Sequence, residues 1–164
     1  MKKPTIYIET SIISYLAAKP SPDLTTAACQ QVTAEWWERY RGFYNIVTSA
    51  LVVTESAEGN PLTAKKRLDF LKGIPALRIT DNAAELARFL TGQGAALPQK
   101  AQADALHIAI AAVHNVDYLL TWNCRHIDNP ATKPLVRKVC ASQGYTCPEI
   151  CTPFEIMEID KYEK

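Results

Sequence analysis

Hydrophobic positions along the chain alternate between two rhythms, short β-rich runs and longer stretches at helical spacing. Residues 5–8 predict a first strand and residues 11–18 a helix. Asp23 or Thr25 is suited to cap a second helix, which carries Cys29, Val32, Trp36 and Tyr40 at helical spacing. Residues 44–48 read as a second strand, and 50–57 as a helix stopped by Gly59, Asn60 and Pro61. Another helix is expected over 62–71, with Leu68 and Leu71 on its apolar side, then a third strand over 76–80. Asp81 is placed to cap a helix over 82–90, whose Leu86, Phe89 and Leu90 share a face. The strongest helical pattern covers 100–113, with Leu106, Ile110 and Val113 at i, i+4 and i+7. A fourth strand over 116–121, a helix over 131–142 ending at Gly144, and a weak strand over 146–152 follow. Residues 20–22 and 92–98 read as loops. Strands alternating with helices predict the α/β class, a mostly parallel sheet covered on both faces. At 164 residues, with no repeat and no Gly/Ser linker, one domain over 1–164 is expected.

Composition narrows the picture. A chain 48% hydrophobic and 21% charged is too apolar for disorder. Its longest apolar runs, 108–113 and 50–53, are too short for a transmembrane helix. Glu9, Thr10 and Ser11 interrupt the first apolar stretch, so no signal peptide is read, and a cytoplasmic protein without membrane partners is expected. Lys and Arg total 18 against 17 acids, net +1, which excludes nucleic-acid binding by bulk positive charge but allows a local patch. The densest basic cluster is Lys65, Lys66 and Arg67 with Lys72, either a solvated helix face or an RNA-backbone track. Five cysteines, an odd number, read as reduced thiols. Only Cys147 and Cys151 approach zinc-ligand spacing, so buried or incidental thiols are favoured over a zinc site. Trp36 and Tyr40 share a helix face suited to a core or oligomer contact, with base stacking as the alternative.

Candidate chemistry follows from where the strands end. In open parallel sheets, ligands bind beyond the strands' carboxyl ends. Glu9, Thr10 and Ser11 follow the first strand; Thr48, Ser49 and a helix bearing Glu55 follow the second; Thr121, Trp122 and Asn123 follow the fourth. The helix over 100–113 runs opposite to the strands, so Asp104 in its first turns falls at the same edge. Clustered carboxylates raise one another's pKa unless a cation neutralises them. Oxygen ligands suit a hard cation such as Mg²⁺ or Mn²⁺, which activates water and stabilises in-line displacement at a phosphodiester. Any one of these acids alone reads better as a solvated cap. Together, with Asp104 beside an apolar helix face, they point to a metal-dependent phosphoryl enzyme. The hydroxyls of Thr10, Ser11 and Thr121 are suited to hydrogen-bond a carboxylate or phosphate, or simply to satisfy strand ends. Arg125 and His126 are placed to contact substrate phosphate, with a structural role as the alternative for His126. His107, three residues after Asp104, reads as a hydrogen-bonded helix histidine near the same face.

At these residues the chain resembles a known family. Ile6-Tyr7-Ile8-Glu9-Thr10-Ser11 resembles the opening strand of PIN domains, in which an acid followed by Thr or Ser ends strand one. The run from Ala103 to Ala111, with Asp104, is similar to the family's acidic helix motif. The run from Tyr118 to Ile127, with Asn123, is similar to the segment after strand four, and Cys151-Thr152-Pro153 to the usual chain end. The nearest group is the VapC-like toxins of bacterial type II toxin–antitoxin pairs. The resemblance implies a five-stranded parallel sheet flanked by helices, Mg²⁺ or Mn²⁺ as cofactor, RNA as substrate, a cognate antitoxin and a homodimer. By position, Glu9, Glu55, Asp104 and Asn123 take the family's catalytic, metal-holding places. Two departures stand out: Glu9 is longer than the usual Asp, and Asn123 is neutral where an Asp is common. Asp128 is a nearby acid that would compensate if it pointed inward. Asn123 also favours an alternative, a catalytically degenerate PIN module that binds RNA or a protein partner. A flavodoxin-like phosphoacceptor is disfavoured, because paired acids after strand one and a Lys after the last strand are missing.

Overall fold

Ile6, Tyr7 and Ile8 are all fully buried, so the first strand has apolar contact on both faces and belongs at the centre of a covered sheet. The computed structural model describes residues 2–92 and 95–162, with side chains through 157. The strands are β1 (Thr5–Ile8), β2 (Asn45–Ser49), β3 (Ala76–Leu77), β4 (Tyr118–Leu120) and β5 (Glu149–Cys151). The helices are α1 (Thr10–Ala17), α2 (Leu24–Arg39), α3 (Ala50–Ser56), α4 (Pro61–Leu71), α5 (Asp81–Leu90), α6 (Gln102–Val113), α7 (Lys133–Ser142) and α8 (Pro153–Tyr162). All strand pairs are parallel, in the order β3-β2-β1-β4-β5, with Tyr7 opposite Val47 on one side and Leu119 on the other. The α/β architecture expected from the alternating pattern is therefore the one observed.

This order locates the site. The chain winds outward from β1 through β2 to β3, then returns to lay β4 against the other side of β1. Strand order reverses between β1 and β4, and the crevice beyond their carboxyl ends is the ligand position of such sheets. Glu9 follows β1 directly and Thr121 follows β4 directly. Helix α6 is buried along most of its length, and four of its buried residues are alanines, which let it pack closely. A short 3₁₀ turn over Gln99–Ala101 leads into it, and Asn115, with φ of 55°, turns the chain out towards β4.

Several details differ from the sequence reading. Thr80, not Asp81, caps α5: its hydroxyl accepts the Ala83 N–H at 3.1 Å, while Asp81 lies inside the first turn. There an acid favours the helix dipole without being the cap. Of the two candidates for α2, Asp23 is the cap, accepting the Thr26 N–H at 2.9 Å. The outer strands are shorter than their apolar runs, because only residues opposite a neighbouring strand join the ladder. Trp36 is a core residue, fully buried. No helix of the described residues is long and apolar enough to cross a membrane.

The largest difference is α8, since the sequence reading ended at the last strand. Thr152 and Glu155 form a capping box: Thr152 Oγ1 accepts the Glu155 N–H at 3.2 Å, and Glu155 Oε1 accepts the Thr152 N–H at 3.0 Å. Pro153 occupies the first helical position, where its missing N–H costs nothing. Thr152→Ala should therefore lower unfolding free energy by about 1 kcal/mol in chemical denaturation. A change indistinguishable from zero would show that the box contributes nothing to stability.

Candidate metal centre and active site

Glu9 stands where β1 turns into α1 and serves as the N-cap of that helix. It is 6% exposed. One carboxylate oxygen, Oε1, takes all its hydrogen bonds: from Ser11 Oγ at 2.5 Å, Thr121 Oγ1 at 2.6 Å and the Ser11 N–H at 3.2 Å. Oε2 accepts no hydrogen bond among the described residues; the cationisable atom facing it is His107 Nε2, 4.0 Å away. Oε2 is reached by solvent and so is open to a cation.

Glu55, from α3, approaches from the neighbouring strand's side. Its Oε1 accepts from Thr10 Oγ1 at 2.5 Å and lies 2.7 Å from His107 Nε2. Burial raises the Glu55 pKa, but the hydrogen bond and charge of His107 and the hydrogen bond from Thr10 outweigh it. The carboxyl is held below its ordinary value of 4.5.

His107 is 1% exposed and held from behind. Its Nδ1 is 2.7 Å from Tyr7 Oη, which is 2.7 Å from Ser49 Oγ, which accepts the Val52 N–H at 3.1 Å. The directions of this chain are consistent throughout. When the ring is neutral and Nε2 donates to Glu55, Nδ1 accepts from the Tyr7 hydroxyl, and the Tyr7 oxygen accepts from Ser49. Burial keeps the Tyr7 phenol protonated by pushing its pKa far above the usual value. Among the described residues, Glu9, Glu55 and His107 are the group of potential metal ligands that comes together, their ligating atoms within 4.8 Å of one another. Two carboxylates and an imidazole, with one carboxylate oxygen open and free of protein donors, fit a divalent cation.

A second cluster adjoins the first. Asp104 Oδ1 accepts from Asn123 Nδ2 at 3.0 Å, and its Oδ2 lies 2.9 Å from His126 Nδ1. Asn123 Oδ1 accepts the His126 N–H at 3.0 Å, which fixes the amide so that its NH₂ faces Asp104. Thr121 joins the clusters, since its hydroxyl accepts the Asn123 N–H at 2.9 Å and donates to Glu9. Asp104 and His107 are also three residues apart on one face of α6.

The hydroxyls of Thr10, Ser11 and Thr121 thus bond carboxylates. Asn123 acts as a donor to Asp104, and His126 backs the same carboxylate. Arg125 is exposed beside them. Asp128 does not join the site: it is buried and bound to Lys133 Nζ at 2.5 Å. Burial and a hydrogen bond that Asp128 donates to Glu155 raise its pKa. In the basic cluster, Arg67 is turned onto the carbonyls of Ser56 and Glu58, and Lys72 pairs with Asp69 at 2.9 Å. Lys65 and Lys66 remain exposed on α4. His107 is the hydrogen-bonded helix histidine expected near the face of Asp104, but its place between Glu9 and Glu55 was not read from the sequence. The Asp-x-x-His spacing on a buried helix was its signal, because residues three apart share a face.

No family model matches this chain, and no curated protein matches it in sequence. In structure it is similar to VapBC2 from Rickettsia felis, solved bound to a DNA fragment from the promoter. That likeness has a TM-score of 0.54 at 14% identity and covers 90% of this chain and 98% of the other. At that identity the likeness is one of fold. The fold is PIN-like, a five-stranded parallel sheet flanked by helices.

A glutamate held below its ordinary pKa stabilises the folded state above that value, and the contribution disappears as pH falls through the lowered one. The stability difference between wild type and Glu55→Gln should accordingly drift against the wild type as pH is taken from neutral to about 3. A difference that stays flat, or moves the other way, in denaturation curves would contradict this account of Glu55.

Proposed function

We propose that this chain is a metal-dependent endoribonuclease, a single-domain toxin of a toxin–antitoxin pair that hydrolyses RNA phosphodiesters. The observation that carries this reading is Glu9 at the switch point of the sheet, buried, with one oxygen fully bonded and the other free beside Glu55. Glu9, Glu55 and Asp104 would hold Mg²⁺ or Mn²⁺, with Asn123 clamping Asp104 from behind. When bound, the ion supplies an activated water and neutralises charge at the phosphodiester. The protein's own part is positional. Ser11 and Thr121 fix one oxygen of Glu9 and leave the other to the ion. Asn123 and His126 hold Asp104 in one orientation. Arg125, with the exposed Lys65 and Lys66, supplies positive charge for RNA phosphates, which position a substrate without reading its sequence. The toxin–antitoxin assignment, with its cognate antitoxin, is supported by the motif resemblance and by the fold of the Rickettsia felis complex; the homodimer rests on the motif resemblance alone, and the cytoplasmic setting on the absence of a signal-peptide pattern.

Asn123 also favours a second reading, a degenerate module that binds RNA or a protein partner, because its amide serves as a clamp on Asp104 and adds no charge. One experiment separates the two. Purified free of antitoxin, the wild type should cleave structured or single-stranded RNA with Mg²⁺ or Mn²⁺ and stop with EDTA. Asp104→Asn should cut the rate at least about a hundredfold while RNA binding survives, since affinity comes from basic residues. Equal rates in both proteins would assign the activity to a contaminant or another site. Binding by both with cleavage by neither would establish the degenerate module.

Asn123→Asp should tighten Mn²⁺ binding in calorimetry, because it sets a second carboxylate about 3.0 Å from Asp104, and a divalent cation relieves the repulsion of such a pair. Unchanged or weaker affinity would place position 123 outside the metal's reach.

A further inference from the structure

The reading above leaves His107 without a task in the chemistry. Its position is nonetheless built with care. Nε2 lies 2.7 Å from Glu55 Oε1 and 4.0 Å from the unbonded Oε2 of Glu9, at the centre of the ligand group. Nδ1 is gripped by Tyr7, and Tyr7 by Ser49, both fully buried. We propose that His107 Nε2 is itself a ligand of the divalent ion. With Glu9 and Glu55 it makes a mixed nitrogen–oxygen centre that binds transition-metal ions in preference to Mg²⁺. This rests on the metal-dependent reading and deepens it.

Three observations support the assignment. Metal-bound imidazoles are oriented by a hydrogen bond at the other ring nitrogen, and Tyr7 provides it here. A histidine serving only to brace Glu55 would duplicate Thr10, which already donates to the same oxygen. It would also have no need to stand 4.0 Å from the open Oε2 of Glu9. The hydroxyl chain behind the ring can run in either direction. When Nε2 gives its lone pair to an ion, it loses its proton and Nδ1 takes one up, so the ring stays neutral. Nδ1–H then donates to Tyr7 Oη, and the Tyr7 O–H turns to Ser49 Oγ. An imidazole donor favours ions such as Co²⁺ over Mg²⁺, which prefers oxygen.

The test uses the full chain, stripped with a chelator and reloaded. With Mn²⁺ bound, pulsed electron paramagnetic resonance should show coupling to an imidazole nitrogen. That coupling should persist in His126→Gln and vanish in His107→Gln, whose amide can still donate to Glu55. Calorimetry should show Co²⁺ bound at least about tenfold more tightly than Mg²⁺, with His107→Gln losing about tenfold for Co²⁺ and little for Mg²⁺. If His107→Gln does not fold, the wild-type spectrum and its His126→Gln counterpart still decide. Bound Mn²⁺ without nitrogen coupling, or coupling that follows His126, overturns the assignment and leaves the metal reading standing. A wild type that binds no divalent ion overturns both.

Discussion

The site is organised by a carboxylate that is buried and only half satisfied. Three donors crowd onto Oε1 of Glu9, each hydrogen bond to a charged group contributing about 1.5–3 kcal/mol. They come from Ser11 at the start of α1 and from Thr121 at the end of β4, so the carboxylate ties together the two strand ends flanking the switch point. That leaves Oε2 facing His107 and Glu55, reached by solvent and free of protein donors, where an ion can take it. The surrounding hydroxyls, the imidazole and the second glutamate are arranged about that one unmet demand.

The rest of the fold supplies the rigidity this arrangement needs. β1 is central and buried on both faces, so Tyr7 points into the core with its hydroxyl available to His107. The small side chains of α6 bring Asp104 and His107 to the carboxyl edge on a helix that is otherwise core. Asn123 and His126 come from the turn after β4 and close on Asp104 from the opposite side. A residue on a strand end, one on a helix start and one on a turn therefore meet with their rotamers locked by neighbours, as precise ligand placement requires.

The α/β class, the order of the elements and the shared edge of Glu9, Glu55, Asp104 and Asn123 were legible in the sequence, because apolar rhythm and parallel winding dictate them. What was not legible depends on which atom meets which. Asn123 looks like a weak oxygen ligand in sequence, yet the His126 N–H occupies its carbonyl and turns its NH₂ to Asp104. Asp128 is near Asn123 in the chain but is drawn to Lys133. His107 reads in sequence as a hydrogen-bonded helix histidine, but not as one whose nitrogens meet Tyr7 and Glu55. Helix α8 was signalled by Thr152-Pro153-Phe154-Glu155, a capping box whose brevity after a weak strand hides it.

The central claim is that the free oxygen of Glu9 and its neighbours form a cation site. Anomalous diffraction from crystals grown with Mn²⁺ tests it most directly. The account predicts a single strong peak in contact with Oε2 of Glu9 and with Glu55. A peak elsewhere on the molecule, or Glu9 Oε2 engaged by a protein donor with no ion beside it, would contradict it.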